Sequence, residues 1–517
     1  MWFSGIGITL VDMAGSKRRK PSQESPTSKS KKPPVQSARA KERSVKKLSE
    51  MIEREVQRRL GPKSTFEQRN NMRAEIIKEA AFRGSDDDLR QMTTDEENVD
   101  EEDGRWSRLG QPSSATYFGR WGPHEIAEPL YRRVGVRNGP TMKPIERRAG
   151  IIEHMTPDMA CIVGALGACQ SSREVERTLW RTGFVPPGRA FLEKRGSRLA
   201  QGMAADVSAL EAAARTTETI PAEVASVSCG LDRMSVRVNE PAKADSPPRR
   251  KRTKPYVRQA PAPQEAHWRK AWAASMSLYD REGNELRTVM YGAEATTDHN
   301  ALADRVAADV LAIIATAPEV KVHCVQDAAP ELRALPEALV RAMPRGKSFV
   351  ELVDIEHLAR DYLDKVVDAC EPEGDPHHMK DWYRSELLRD DRAIDRIWTN
   401  LRRLAKKLPV ERTAARAAVA AALRYIRHRK NKMRYASHYA GNLPIGSGAT
   451  EGTCWQMQGR VKRPGQSWKA VVEPDQPTRT PGLNGVMTTR GLVLSDRWDA
   501  AWPTYAASHH KELRLAA

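Results

Sequence analysis

Three acids stand where acids are scarce and where the local pattern would present them to a common site. Asp232 is the only acid between Glu223 and Glu240, within an alternating, β-branched run from Val224 to Val238. Asp327 follows the short apolar run Val320 to Val325, at the carboxyl end of a strand, where open α/β sheets place ligands. Glu451 follows Gly446-Ser447-Gly448-Ala449-Thr450, whose glycines permit a tight turn or close approach to a phosphate. Carboxylates brought together repel, and one takes up a proton unless a cation neutralises the pair. A site that keeps them ionised implies Mg²⁺ or Mn²⁺, which prefer hard oxygen ligands. Plainer roles exist for each: turn or cap for the aspartates, a first-turn acid favoured by the helix dipole for Glu451. Asp354 and His357, one turn apart, either sit beside the acids or cap and pack their own helix.

The elements that must position these acids are legible from periodicity. Val224 to Val238, Trp272 to Tyr279 and Glu285 to Tyr291 read as strands, the last two joined by the turn Asp280-Arg281-Glu282-Gly283-Asn284. A helix over Asn300 to Ala315 follows, with Leu302, Val306, Val310 and Ile313 on one face. Then come a strand at Val320 to Val325, a helix near Leu332 to Met343 and a strand at Phe349 to Val353. Three antiparallel strands joined through helices to two parallel ones is the layout of an RNase H-like domain. The first strand is then central and the fourth lies beside it, which brings Asp232 towards Asp327. From Ile355 to about Arg429 the chain is helical (Ile355 to Ala369, Asp381 to Leu404, Val410 to Tyr425), too long for a simple crossover. It ends in a basic, aromatic cluster, Arg424 to Tyr435.

The expected fold class is therefore α/β: an RNase H-like mixed sheet with a long helical insertion, preceded by a mainly helical DNA-binding region. The divisions are a basic disordered arm and the start of the first helix (1–60), a mainly helical region (61–220), an RNase H-like core (221–355) with a basic insertion (241–263), a helical insertion (356–430) and the C-terminal part of the catalytic domain (431–517). Within 61–220, ten acids against one base from Ser85 to Asp103 read as a solvated linker or an internal mimic of DNA. Ser172 to Met203 suits a helix-turn-helix, with Arg189, Lys194, Arg195 and Arg198 facing phosphates, and equally an ordinary helical hairpin.

Charge names the class of partner. Among 517 residues, 85 Lys and Arg against 67 Asp and Glu leave +18, which directs attention to a polyanion. The excess is concentrated in residues 15–47 and in the Pro-rich run holding Arg249, Arg250, Lys251, Arg252 and Lys254. No stretch approaches the roughly 18 apolar residues of a membrane span, and six scattered cysteines without a CxxC pair exclude a disulfide scaffold or zinc ribbon. The apolar run Trp2 to Val11 precedes its positive charges, the wrong order for a secretory signal, and Met13 is an alternative start. An intracellular protein is expected.

The block HRKNKMRYASHYAGNLPIGSGATEG, then GRVKRPGQSW and TTRGLVLSDRWDAAW, resembles the C-terminal signature of the ISKra group of bacterial insertion-sequence transposases. GVRNGPTMKPIERRAGIIEHMTP, SCGLDRMSVRV, VHCVQDAAPEL and FVELVDIEHL extend the resemblance over roughly residues 130–505. It implies a DDE transposase with catalytic, metal-binding Asp232, Asp327 and Glu451, two Mg²⁺ (or Mn²⁺) ions, and cleavage and strand transfer of DNA. It also implies a cytoplasmic, nucleoid-associated protein that forms a homo-oligomer on element ends and target DNA, with no membrane partner. Arg249, Arg250, Lys251, Arg252, Arg429, Lys430, Arg434, Lys462, Arg463 and Trp468 are the expected DNA contacts, with Trp455 beside them. Arg233 departs from the pattern, which tends to Gly after the first Asp, and loops at 241–263 and 472–482 are longer. The alternative is a catalytically inactive relic that represses through its N-terminal helices.

Overall fold

The computed structural model describes residues 38–101, 103–241, 264–294, 299–370, 376–471 and 478–515. The arm at 15–37 and the basic insertion with Arg249, Arg250, Lys251 and Arg252 lie outside these residues. Two compact units divide the chain, Met1–Lys78 and Glu79–Ala517. In the first, α1 (Ala38–Leu60) is followed by the start of α2 (Phe66–Gln91). Thr65 and Gln68 cap α2 reciprocally, each side chain accepting from the other's backbone N–H. Glu53 of α1 accepts from Arg73 of α2.

The second unit opens with a four-stranded antiparallel sheet: β1 (Asn98–Glu101), β2 (Gly104–Gly119), β3 (Gly122–Arg133) and β4 (Thr141–Met142). The expectation for 61–220 is mainly helical, and helices do make up most of its residues in regular structure, but that expectation does not include this sheet. The inner face of β3 carries His124 and Glu128 beside Ile126, so the period-two signal is hidden by buried polar groups. The acidic stretch 85–103 is not a simple linker: it continues α2 and forms β1. Asp86 pairs with Arg90 and His124 and Asp103 with Arg147 at 2.9 Å, while Asp87, Asp88, Asp95, Glu96, Glu97 and Asp100 are exposed. The partners His124 and Arg147 are distant in sequence.

Helices α3 (Pro144–Arg148), α4 (Pro157–Cys169), α5 (Ser172–Arg181), α6 (Arg189–Ala205) and α7 (Val207–Thr217) follow. Pro157 opens α4, and the Ser171 N–H donates to Glu174 at 2.7 Å to start α5. The main sheet comprises β5 (Ser226–Pro241), β6 (Gln264–Tyr279), β7 (Glu285–Ala293), β8 (Lys321–Gln326) and β9 (Phe349–Val353), in the order β7-β6-β5-β8-β9. β5–β6–β7 are antiparallel, while β8 runs parallel to β5 and β9 parallel to β8. One face is covered by α8 (His299–Thr316) and α9 (Ala334–Ala342), which bury Val227, Cys229 and Leu231 of β5.

Helices α10 (Ile355–Leu358), α11 (Asp364–Cys370), α12 (Pro376–Arg389), α13 (Ala393–Lys407), α14 (Thr413–Arg427) and α15 (Ala436–Ala440) form a second core around Ile394, Ile397, Val419 and Ile426. The expected single helix Asp381 to Leu404 is broken, because the Asp390 side chain accepts the Arg392 N–H at 2.9 Å in a local turn. The opposite face of the sheet is covered by α16 (Gly448–Val461) and α17 (Pro481–Leu494), with Met234, Val236, Cys454, Met457 and Met487 between them. β10 (Trp468–Lys469) pairs with Val238 and Asn239 of β5, and α18 (Trp498–Leu515) closes the chain. Among the described residues no helix is long and apolar enough to cross a membrane.

Arg497, 2% exposed, binds Glu218 through two hydrogen bonds of 2.6 and 2.9 Å and Asp309 at 2.7 Å. Burial alone would raise the Glu218 pKa, but Arg497 and Arg287 outweigh it and hold it below the usual carboxylate value. A depressed carboxylate contributes stability above its unfolded pKa and loses it as pH falls through the folded one. Arg497→Met leaves Glu218 to Arg287 and Asp309 to Arg215, and is expected to cost about 3 kcal/mol in urea unfolding at pH 7. The cost should shrink below about pH 4. An equal loss at both pH values would contradict this sign.

Candidate active site

The two aspartates come from neighbouring parallel strands. β8 follows β5 at a constant offset, Lys321 opposite Ser226 and Cys324 opposite Cys229, where the pairing ends. Asp232 lies further along β5, and Asp327 is the first residue past the end of β8 at Gln326. Residues 227, 229 and 231 of β5 face α8 and α9, whereas Met234 and Val236 face α16 and α17. Asp232 belongs to the latter face, and its Oδ2 accepts from the Cys454 thiol of α16 at 3.3 Å. Glu451 lies one turn before Cys454, exposed, in the first turn of the same helix.

Close packing seats the start of α16 over β5. Gly230 has no room for a side chain: a Cβ there would lie 2.7 Å from the Val325 carbonyl oxygen and against the Thr450 hydroxyl. Thr450 in turn shares a 2.8 Å hydrogen bond with Ser275 of β6. Gln326 accepts the Leu231 N–H at 3.3 Å and donates to the Leu332 carbonyl at 2.8 Å, fixing the strand end that precedes Asp327.

Asp354 and His357 connect this arrangement to the helical layer. Asp354, 2% exposed, accepts the His357 N–H at 2.9 Å through one oxygen. Its other oxygen takes the Ser447 N–H at 2.6 Å and the Ser447 hydroxyl. One buried carboxylate therefore caps α10 and anchors the loop that opens α16. His357 Nε2 meets Asp327 Oδ1 at 2.9 Å, and Nδ1 meets Asp361 at 2.9 Å. The Asp327 hydrogen bond raises the His357 pKa. Burial would raise the Asp327 pKa, but the His357 bond and charge outweigh it and lower it. Burial, then the neighbouring Asp232, pushes the Cys454 thiol up, so the pair stays a neutral donor on a carboxylate.

Among the described residues no three His, Cys, Asp or Glu side chains gather as a metal-holding group. Cys454 and the Arg233 N–H occupy the oxygens of Asp232. His357 and, at 3.5 Å, the Tyr425 hydroxyl occupy Asp327. Arg233, the departure from the family pattern, turns away from Asp232 and pairs with Glu331.

The basic residues divide. Arg429 is folded inward over the Tyr425 ring at 4.4 Å and donates to the Ala328 carbonyl, bracing the Asp327 loop. Lys430 binds Asp395 at 3.0 Å and lies over the Trp398 ring. Arg463 is committed to Glu174 and the Cys169 carbonyl, and the Trp468 indole donates to the Val461 carbonyl at 3.0 Å against the sheet core. These four side chains hold the protein itself together. Arg434, Lys462 and Trp455 (72% exposed) face solvent. A cavity of about 210 Å³ beside the Asp327 loop is lined by Arg333, His428, Arg429 and Lys432 with Glu351.

Sequence reasoning missed Cys454 and Ser447. A thiol three residues after Glu451 was the available signal for Cys454; nothing local marks Ser447, since its partner is 93 residues away. Neither a scan against protein-family models nor a comparison with curated proteins finds a match for this chain. Asp354→Ala should cost about 3 kcal/mol in urea unfolding, well above the ~1 kcal/mol of a cap alone, because Ser447 also loses its acceptor. A loss of 1 kcal/mol or less would show that the Ser447 anchor contributes nothing.

Proposed function

We propose that this protein is a DDE transposase, catalysing metal-dependent cleavage and strand transfer of insertion-sequence DNA from an RNase H-like core. The observation that supports the reading is that Asp232 lies in β5 and Asp327 just past the end of β8, its parallel neighbour, with Asp232 bonded to the helix that bears Glu451. The family resemblance assigns the same three acids.

The donor chemistry fits a divalent cation: two half-buried carboxylates and one exposed carboxylate, all hard oxygen donors. Asp232, Asp327 and Glu451 would hold Mg²⁺ or Mn²⁺, and two such ions supply an activated water and neutralise charge on the transferring phosphate. The chain's own work is positioning. His357 fixes the orientation of Asp327, Asp354 fixes both His357 and the α16 loop, and Thr450 and Gly230 set the height of Glu451 above the sheet. Cys454 and His357 each give a hydrogen bond to one of the two aspartates. Solvent-facing Arg434, Lys462 and Trp455 are the described residues suited to the DNA backbone and an unstacked base. DNA at element ends and targets, a homo-oligomer on that DNA and a nucleoid location belong to this proposal.

A DNA-binding relic is the second reading. It draws support from one observation, that protein groups already occupy the oxygens of both aspartates. Nicking of DNA carrying the inverted repeats that flank the coding region, with Mn²⁺, separates the two. Asp232→Asn and Glu451→Gln should each abolish nicking while binding to those ends stays within about twofold of wild type, since lost anionic charge does not hinder DNA approach. Full nicking by either variant would remove the acids from the mechanism. Absence of nicking in the wild-type protein, with end binding intact, would favour the repressor.

A further inference from the structure

β6 is divided in its exposure. Residues from Ala271 to Leu278 are buried, whereas all seven from Gln264 to Lys270 are exposed, Trp268 by 70%. The reason is topological. β7 pairs only with Trp272–Tyr279, so the earlier half of β6 has β5 on one side and no strand of the described residues on the other. β5 is covered on one face there by α16 and pairs along its other edge with β10. The opposite face of the β5–β6 arm has left α8 behind and carries Arg233, Arg237, Trp268 and Lys270. Arg237 stands directly opposite Trp268, and Lys270 opposite Ser235, to which its ammonium donates at 2.9 Å.

An exposed indole on an unpaired strand edge is an aggregation hazard that natural proteins blunt with charge or cover with a partner. Here the neighbours on its face are the cations Arg237 and Lys270, with Arg233 held by Glu331. We infer that this face of the β5–β6 arm is a contact surface for the sugar-phosphate backbone of duplex DNA. Arg237 and Lys270 neutralise phosphates, and the indole body of Trp268 lies against the sugars between them. The face points away from α16, so the contact is separate from the one at Asp232, Asp327 and Glu451 and would hold a different stretch of duplex. The inference rests on the reading that DNA is the partner, and it needs no catalysis.

The test is the salt dependence of binding by the full chain to a random-sequence duplex, compared with Arg237→Gln/Lys270→Gln and with Trp268→Ala. All three positions are exposed, and thermal melts of the variants should overlay the wild type. Each lost phosphate contact lowers the log–log salt slope by about 0.9, so the double variant should fall by about 1.8. Trp268→Ala should weaken binding severalfold at unchanged slope. Wild-type slope and affinity in both variants would overturn the contact surface while leaving DNA binding standing. No duplex binding by the wild type would overturn the partner itself. Loss of self-association in sedimentation, with an unchanged slope, would assign the edge to a second copy and overturn the inference.

Discussion

A half-buried carboxylate needs donors, and the surroundings of Asp232 and Asp327 are organised by that need. The protein meets it with proton donors. His357, its pKa raised by Asp327, supplies a charge-assisted hydrogen bond to one, and the Cys454 thiol, kept protonated by burial, donates to the other. Both donors come from elements that the sheet does not contain. Asp327 and Asp232 therefore depend on the helical layer behind His357 and on the helix that carries Cys454. Asp354 links the two through His357 and Ser447.

This dependence explains why the core tolerates so little change near the acids. Gly230 admits α16 only because it lacks a Cβ, and Gln326 satisfies the backbone where β8 ends. Further out, Arg497 gathers Glu218 and Asp309 so that α7, α8 and the start of α18 close around the far edge of the sheet. Breaking such a buried cluster by removing one partner is far more damaging than replacing it whole.

The strands of the main sheet were legible because their inner faces are apolar and short turns separate them. β5, β7 to β9 and α8 fall close to their expected limits, whereas β6 starts at Gln264, well before the expected Trp272. The sheet β1–β4 was not legible, since His124 and Glu128 occupy inward positions, made tolerable by Asp86, 38 residues back, on His124 and by the Thr94 and Ile145 N–H groups donating to Glu128. The acids of the candidate site were found from scarcity and strand placement, and Asp354 and His357 from their junction. The inward roles of Arg429, Arg463 and Trp468 were hidden, because composition cannot tell a phosphate contact from a cation or indole turned onto the protein's own backbone. Cys454 looked inert for the same reason: its meaning depends on a strand 222 residues away.

The central claim is that Asp232, Asp327 and Glu451 together form a site for divalent cations. Anomalous diffraction from crystals of the full chain grown with Mn²⁺ tests it most directly. The account predicts manganese between Asp232 and Asp327 with Glu451 drawn towards it, and with the Cys454 and His357 hydrogen bonds to those carboxylates lengthened. Crystals in which Mn²⁺ binds elsewhere or not at all, with both hydrogen bonds intact, would contradict it.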